Sequence, residues 1–271
     1  MLFRSVTIVQ HSPHLLEKED SDVSIGLLEL MKDEGVEVLL NSQVLKVTGR
    51  SGETVTVLVR SGTNERTLDA SDILVAAGRT PNTDRLNLDR AGVEVDSRGY
   101  IRVNDRLQTT APDVWATGES AGSPHFTHVG EDDFRIVLDN LNGGSRTTRG
   151  RVIPYVLFTD PELAHVGLSE TEAKAQGVHY RIAKMPMAMV LRAQTLSETR
   201  GFVKALIGDD DRTLGFTAFG VEASEMMAVV QTAMLGHLPY TALRDAIFTH
   251  PTSAEGLIGL FLNPPAAPAG E

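Results

Sequence analysis

Hydrophobic and polar positions change period several times along the chain. Residues 6–9, "VTIV", are β-branched throughout and predict a buried strand, one that would need neighbours on both sides. In "EDSDVSIGLLELMKDEG", Val23, Leu27, Leu30 and Met31 recur at helical spacing. Asp22 or Ser21 can cap that helix and Gly35 can end it. "VEVLLNSQVLKVTG" and "TVTVLVRSG" alternate as strands about a glycine turn. "DILVAAGRTPN" and "PDVWATGESAG" share one design, a short apolar strand running into a glycine turn at Gly78 and at Gly118. "HVGEDDFRIVLDNLNGG" predicts a helix with Phe134, Val137, Leu138 and Leu141 on its apolar side and Gly143 at its end.

Residues 143–154, "GGSRTTRGRVIP", are polar, basic and glycine-rich, and mark a domain boundary. A second α/β unit follows. "PYVLFTDP", "HYRIAKMPM", "GFVKALIG" and "LGFTAFG" predict strands. "SETEAKAQG", "SEMMAVVQTAMLG", "PYTALRDAI" and the segment after Thr252 predict helices. "NPPAAPAGE" is a frayed tail. No internal repeat is visible.

Composition fits one large or two ordinary globular domains: 271 residues, 41% hydrophobic and 23% charged. A net charge of −11 argues against nucleic acid or an anionic membrane as partner. No apolar run is long enough to span a bilayer, and the start lacks a long apolar signal core, so a cytoplasmic protein is expected. The chain has no cysteine, which removes disulfides, thiolate metal sites and thiol catalysis within it.

Candidate chemistry is sparse. In "FTHPTSAEGL", Pro251 keeps His250 out of the following helix, and Glu255 can fold back toward the imidazole. A carboxylate in that place can orient a general base, or simply oppose the helix dipole. Glu119, beside Gly118, can accept from sugar hydroxyls, or be a solvated turn carboxylate. His128 opens a helix whose first N–H groups could face an electron-rich ring, or merely cap a surface helix. Arg146, Arg149 and Arg151 read as a solvated linker, and Met226, Met227 and Met234 as core or interface filler. His11 and His14 lack the support a metal site needs, and no metal is expected.

Taken in order, "VTIVQHSPHLLEKEDSDV…GVEVLL", "ILVAAGRTPNT", "TTAPDVWATGESAGSPHFTHVGEDDFRI", "VIPYVLFTDPELAHVGLSETEA", "LSETRGFVKALIG" and "THPTSAEGL" resemble class I pyridine nucleotide-disulfide oxidoreductases. These are the flavoproteins of the dihydrolipoamide dehydrogenase and glutathione reductase kind. The wording of the middle stretches is similar to the mercuric-reductase-like branch. The resemblance covers the chain up to its Pro/Ala tail, and only the later part of such enzymes. Their glycine-rich FAD-binding unit and redox cysteine pair have no counterpart here.

The resemblance implies an α/β fold: partial nucleotide-binding domains followed by an α+β dimerisation domain. Residues 1–78 would be the C-terminal half of the nicotinamide-binding domain, 79–148 the returning FAD or central segment, and 149–271 the interface domain of a homodimer. It implies FAD, with NAD or NADP, and a small-molecule or protein disulfide as substrate, a metal ion being the variant acceptor. Gln10 stands where an acidic residue often selects NAD, so its neutrality weakens that choice. Cofactor-binding residues would be Gly78, Gly118, Glu119 and His128. Aspartate is usual where Glu119 stands. His250 and Glu255 would be the acid/base pair serving redox thiols of the other subunit. Tyrosine often replaces this histidine in the mercuric-ion branch, so His250 favours a disulfide. By itself the chain is expected to be inactive and to hold FAD weakly. The rival reading is a non-catalytic dimerisation remnant or pseudoenzyme that binds no flavin.

Overall fold

The computed structural model describes residues 5–262. The chain forms two compact units, one from residues up to 75 together with 156 onward, the other from residues 76–155. The fold class is the expected mixed α/β.

The first unit begins with β1 (Thr7–Val9), α1 (Ser21–Asp33) and β2 (Glu37–Leu39). β1 pairs in parallel with β2, and among the described residues that is its one strand neighbour. It is only half-buried, less than its apolar sequence predicts, because burial on both faces requires more strands. α1 buries Val23, Leu27 and Leu30 as its periodicity requires. Neither Ser21 nor Asp22 caps it. Asp20 holds the N-cap position, and its carboxylate accepts the N–H groups of Glu170 and Thr171 (3.1 and 3.0 Å). Next come the antiparallel strands β3 (Ser42–Gly49), β4 (Val55–Ser61) and β5 (Asn64–Ala70). Val55, Val57 and Val59 of β4 point inward, with Val9, Leu39 and Leu68 against them.

The second unit is mostly irregular. Neither apolar strand predicted at its glycine turns forms. Leu74 and Val75, at the end of the first unit, are 91% and 76% exposed and belong to no strand. A segment apolar on both faces makes a strand only where a sheet accepts it, and the described residues provide none. At "PDVWA" a single bridge, Gln108 with Trp115, replaces the strand. A small core of Val93, Ile101, Ala111 and Ala116 holds the unit together. Its helix, α2 (Thr127–Leu141), turns a different face inward than predicted. Val129, Asp133 and Ile136 are buried, while Phe134, Leu138 and Leu141 are 56%, 46% and 59% exposed. The buried face carries an aspartate and therefore does not stand out by hydropathy. The arginines after it are not a free solvated linker. Arg146 pairs with Asp132, Arg149 with Asp105, and Arg151, nearly buried, with Asp133.

Beyond it lie β6 (Pro154–Leu157), β7 (Glu162–Gly167), α3 (Glu170–Ala175), β8 (Arg181–Pro186), α4 (Leu191–Leu196), β9 (Phe202–Ile207), β10 (Thr213–Gly220), α5 (Ala223–Leu235), α6 (Tyr240–Arg244) and α7 (Gly256–Leu262). One sheet has the order β6-β7-β10-β9-β8. α5 packs on β7 and β10 and buries Met226, Met227 and Val230 in its own unit. α1 also packs on this sheet: Val23, Leu27 and Leu30 meet Leu163 and Phe219. Gly26 makes that approach possible, since a Cβ there would lie 3.0 Å from the Phe219 ring. Ser169 and Glu172 form a reciprocal capping box on α3. The tail from residue 263 lies outside the described residues.

Beneath the α1 contact sits a buried charge cluster. Lys204 of β9, 2% exposed, donates to Asp20 (2.8 Å), Glu170 (2.8 Å) and both oxygens of Asp22 (3.0 Å). Burial pushes the Asp20 carboxyl up, but Lys204 and two backbone N–H groups outweigh it and hold the group below its usual range. Burial acts likewise on Asp22, where Lys184 and Lys204 prevail. Burial alone would lower the Lys204 ammonium; the surrounding carboxylates reverse that and raise it well above an ordinary lysine.

Candidate functional site

His250 and Glu255 meet. The imidazole Nδ1 lies 3.1 and 3.0 Å from the two oxygens of Glu255, while the histidine side chain is 64% exposed. Because a carboxylate only accepts, Nδ1 carries the hydrogen, and the neutral ring leaves its Nε2 lone pair for a proton. Thr252 shapes the loop between them. Its hydroxyl donates to Thr249 O (2.8 Å) and accepts the Glu255 N–H (3.2 Å). Such a T-x-x-E pattern usually sends the glutamate back to the cap's own N–H. Here the carboxylate is directed to His250. Glu255 sits in the turn just ahead of α7, one residue earlier than a place inside the helix.

The second group lies in the 76–155 unit. Gly78 and Gly118 both adopt positive φ (+113° and +63°), and a Cβ on either would meet no atom within 4 Å. The backbone there is open to a close approach. Arg79 and Glu119, next to these glycines, form an ion pair at 2.7 Å and so bring the two turns together. Glu119 keeps 41% of its side chain exposed. The glutamate stands out in the sequence; its arginine looks like an ordinary turn residue and does not.

Asp133 does not stand out either. It is fully buried and accepts the Gly118 N–H, the Ser123 hydroxyl and the Arg151 guanidinium, each at 2.7 Å. This carboxylate fixes the Gly118–Glu119 turn from behind. Gly130, in the first turn of α2, has an added Cβ position 3.9 Å from Gly118 Cα, so the helix start lies against the same turn. His128 Nε2 is 2.9 Å from the Pro154 carbonyl, to which it donates, and its ring stacks on Phe126, which stacks in turn on Tyr155. Gln10 reaches His14 O and Glu17, both at 3.3 Å.

These residues suit a flavin in part. The open glycines and the half-exposed Glu119 carboxylate fit a hydroxylated chain. The Gly118 N–H is already taken by Asp133, and the sequence contains no G-x-G-x-x-G loop to cradle a pyrophosphate. Among the described residues no group of three or more His, Cys, Asp and Glu side chains is placed to hold a metal ion, and no helix is long and apolar enough to cross a membrane.

Comparisons with known proteins agree on one family. The model for pyridine nucleotide-disulphide oxidoreductases matches residues 2–133, and that for their dimerisation domain matches residues 153–259. A protein of Escherichia coli (strain K12) described as a probable pyridine nucleotide-disulfide oxidoreductase, RclA, is 38% identical over 259 residues, 94% of this chain and 58% of its own length. Dihydrolipoyl dehydrogenase of Thermus scotoductus is 33% identical over 256 residues, 93% of this chain and 55% of its own. The solved structure of the HOCl-induced flavoprotein disulfide reductase RclA from Escherichia coli superposes with a TM-score of 0.87 at 36% identity, over 95% of this chain and 59% of that one. The chain thus spans just over half the length of the curated relatives it matches. It belongs to the pyridine nucleotide-disulphide oxidoreductase family, with matches to the oxidoreductase model and to the dimerisation domain.

Proposed function

We propose that the chain is part of an FAD-dependent NAD(P)H oxidoreductase acting on a disulfide. In this reading residues 1–78 belong to the nicotinamide domain, 79–148 to the flavin-side segment, and 149–271 to a homodimer interface. The observation that carries it is the His250–Glu255 contact, 3.0–3.1 Å to both carboxylate oxygens on an exposed ring. A bound flavin would supply hydride acceptance from the nicotinamide and electron delivery to the disulfide. This chain's residues do the remaining work. Glu255 holds the Nδ1 hydrogen, and His250 Nε2 gives or takes the proton of a thiol presented from outside the chain. Glu119, held by Arg79, and the open turns at Gly78 and Gly118 would hold the polyol part of the flavin, with His128 and the start of α2 beside it.

Ile247, wholly exposed three residues before His250, supports a partner surface close to the pair, and Leu235, Leu238 and Met189 are further exposed apolar side chains within residues 149–271. The body of α5 adds little to that surface, because Met226, Met227 and Val230 are hidden within the unit, while its last residue, Leu235, is exposed. The thiols and the pyrophosphate loop must come from sequence outside these 271 residues, and reading the gene upstream of Met1 will find or exclude them. With that segment present, His250→Gln should slow disulfide reduction by roughly 10²- to 10⁴-fold and leave nicotinamide-to-flavin transfer near its original rate. Stopped-flow measurement of both half-reactions is the test. Equal slowing of the two, or a wild-type rate, would remove His250 from the chemistry.

A further inference from the structure

Between His250 and Glu255 lies a serine whose hydroxyl bonds to a third residue. Ser253 is 3% exposed, and its hydroxyl donates to the Glu222 carboxylate at 2.7 Å. Glu222 is the N-cap residue of α5, in the left-handed region at φ +55°, with its other oxygen 3.7 Å from Arg192. The loop's own bonds, through Thr252, stay within residues 249–255. They fix its shape and leave open how it sits on the rest of the unit. Among the described residues, Ser253–Glu222 is the hydrogen bond that ties it to another element, 31 residues away in sequence. Gly256 also lies so close to Val190 that a Cβ would fall 2.9 Å from its methyl group, with Met226 of α5 at 3.5 Å. The loop is therefore held by a buried hydrogen bond and by close packing.

We propose that Glu222 and Ser253 are positioning residues for the His250–Glu255 pair. By anchoring the middle of the loop to the head of α5 they keep the Glu255 carboxylate in line with Nδ1, and so keep the imidazole in the Nδ1–H form with Nε2 as its basic atom. A buried serine hydroxyl deprived of its acceptor would have to find another partner, and turning the loop is the way open to it. The inference rests on the acid/base reading of the pair, and the test separates the two.

The test uses the whole 271-residue chain labelled with ¹⁵N. Long-range ¹H–¹⁵N spectra report the tautomer of each imidazole, with His250→Gln assigning the signal. Spectra are recorded at a pH of about 9, above the ordinary histidine range. The wild-type chain should show His250 as the Nδ1–H tautomer. Ser253→Ala and Glu222→Ala should each shift it several-fold toward the Nε2–H form that an unrestrained imidazole prefers. Glu222→Gln, which still accepts from the serine, should retain the wild-type signal. A wild-type chain already in the Nε2–H form would defeat the acid/base reading itself. A wild-type Nδ1–H signal left unchanged in both alanine variants, even with lowered melting temperature, would make the bond merely structural and overturn the positioning role. A Glu222→Gln spectrum matching that of Glu222→Ala would overturn it too, since the hydrogen bond would not be what holds the loop.

Discussion

Replacing Lys204 with methionine should destabilise the unit formed by residues 5–75 and 156–262 more than most single substitutions. The side chains are similar in size, so packing is largely kept and the change is electrical. Removing one partner of a buried ion pair typically destabilises by about 3–5 kcal/mol, because the remaining charge stays uncompensated. The structure places this case near the low end. Asp22 and Glu170 are about a quarter exposed and can rehydrate, and Asp22 keeps Lys184 at 2.6 Å. Asp20, at 7% exposure, cannot rehydrate, though it retains the N–H groups of Glu170 and Thr171 and the Thr171 hydroxyl. A loss of about 3 kcal/mol lowers the melting temperature by roughly 6–12 °C for a domain of this size. The pH dependence has a definite sign. Asp20 and Asp22 are depressed in the folded state, so their stabilisation is present above the unfolded carboxylate range and is lost as pH falls through their folded values. Lys204 is raised, so its share is fully present below the ordinary lysine range and is lost only in strong alkali. In Lys204→Met the unpaired carboxylates take up protons more readily. The gap between variant and wild type should therefore narrow as pH falls from 7 toward 4. Denaturant titration followed by circular dichroism at several pH values measures both quantities. A loss below about 1 kcal/mol, or a gap independent of pH, would show that the cluster is solvated and refute this account.

Two further outcomes are expected of the unmodified chain, and one of an assembled protein. Light scattering at micromolar concentration should report twice the 29.3 kDa chain mass, and Ile247→Asp should shift it toward monomer; a strict monomer in the wild type would remove the interface. After incubation with FAD and desalting, the chain should be colourless, because Glu119 and the glycine turns hold no pyrophosphate; stoichiometric yellow protein would refute this. In an assembled enzyme Glu255→Gln should slow disulfide reduction less than His250→Gln does, since it orients the ring without exchanging the proton; a larger loss would give Glu255 the proton itself.

Most elements of the fold were legible because their side-chain period and their packing agree. α1, β4 and the strands β8, β9 and β10 follow their patterns, and the Ser169–Glu172 box announces α3. Failures fall where an element's surroundings decide. β5, "NERTLDA", has almost no apolar residues and exists because β4 offers it an edge. β7, "ELAHVG", was passed over for the apolar run before it, since a histidine interrupts its centre. That His165 is buried against the Thr217 hydroxyl and the Gly167 carbonyl. The segment at Leu74 and Val75 errs the other way, apolar enough for a core strand yet lacking a sheet to join.

At the candidate site the residues that would touch a ligand or a proton were readable, and those that hold them were not. His250, Glu255, Gly118 and Glu119 stand out because each breaks its local pattern: a histidine before a proline, a glycine ending an apolar run, a carboxylate at a turn. Asp133 and Ser253 break none. An aspartate on the second turn of an acidic helix and a serine ahead of a helix are ordinary surface choices, and only burial makes them consequential. Each is within a few hundredths of complete burial and makes its side-chain bonds to groups ten or more residues distant. Their value to the fold and to the site is then the same quantity. A buried acceptor or hydroxyl left without a partner destabilises by about 1–3 kcal/mol, enough to select one orientation of an exposed turn over its neighbours by roughly 5- to 150-fold. That range is wide enough to decide where Glu119 and His250 point, which is why the supporting residues have to be found from contacts.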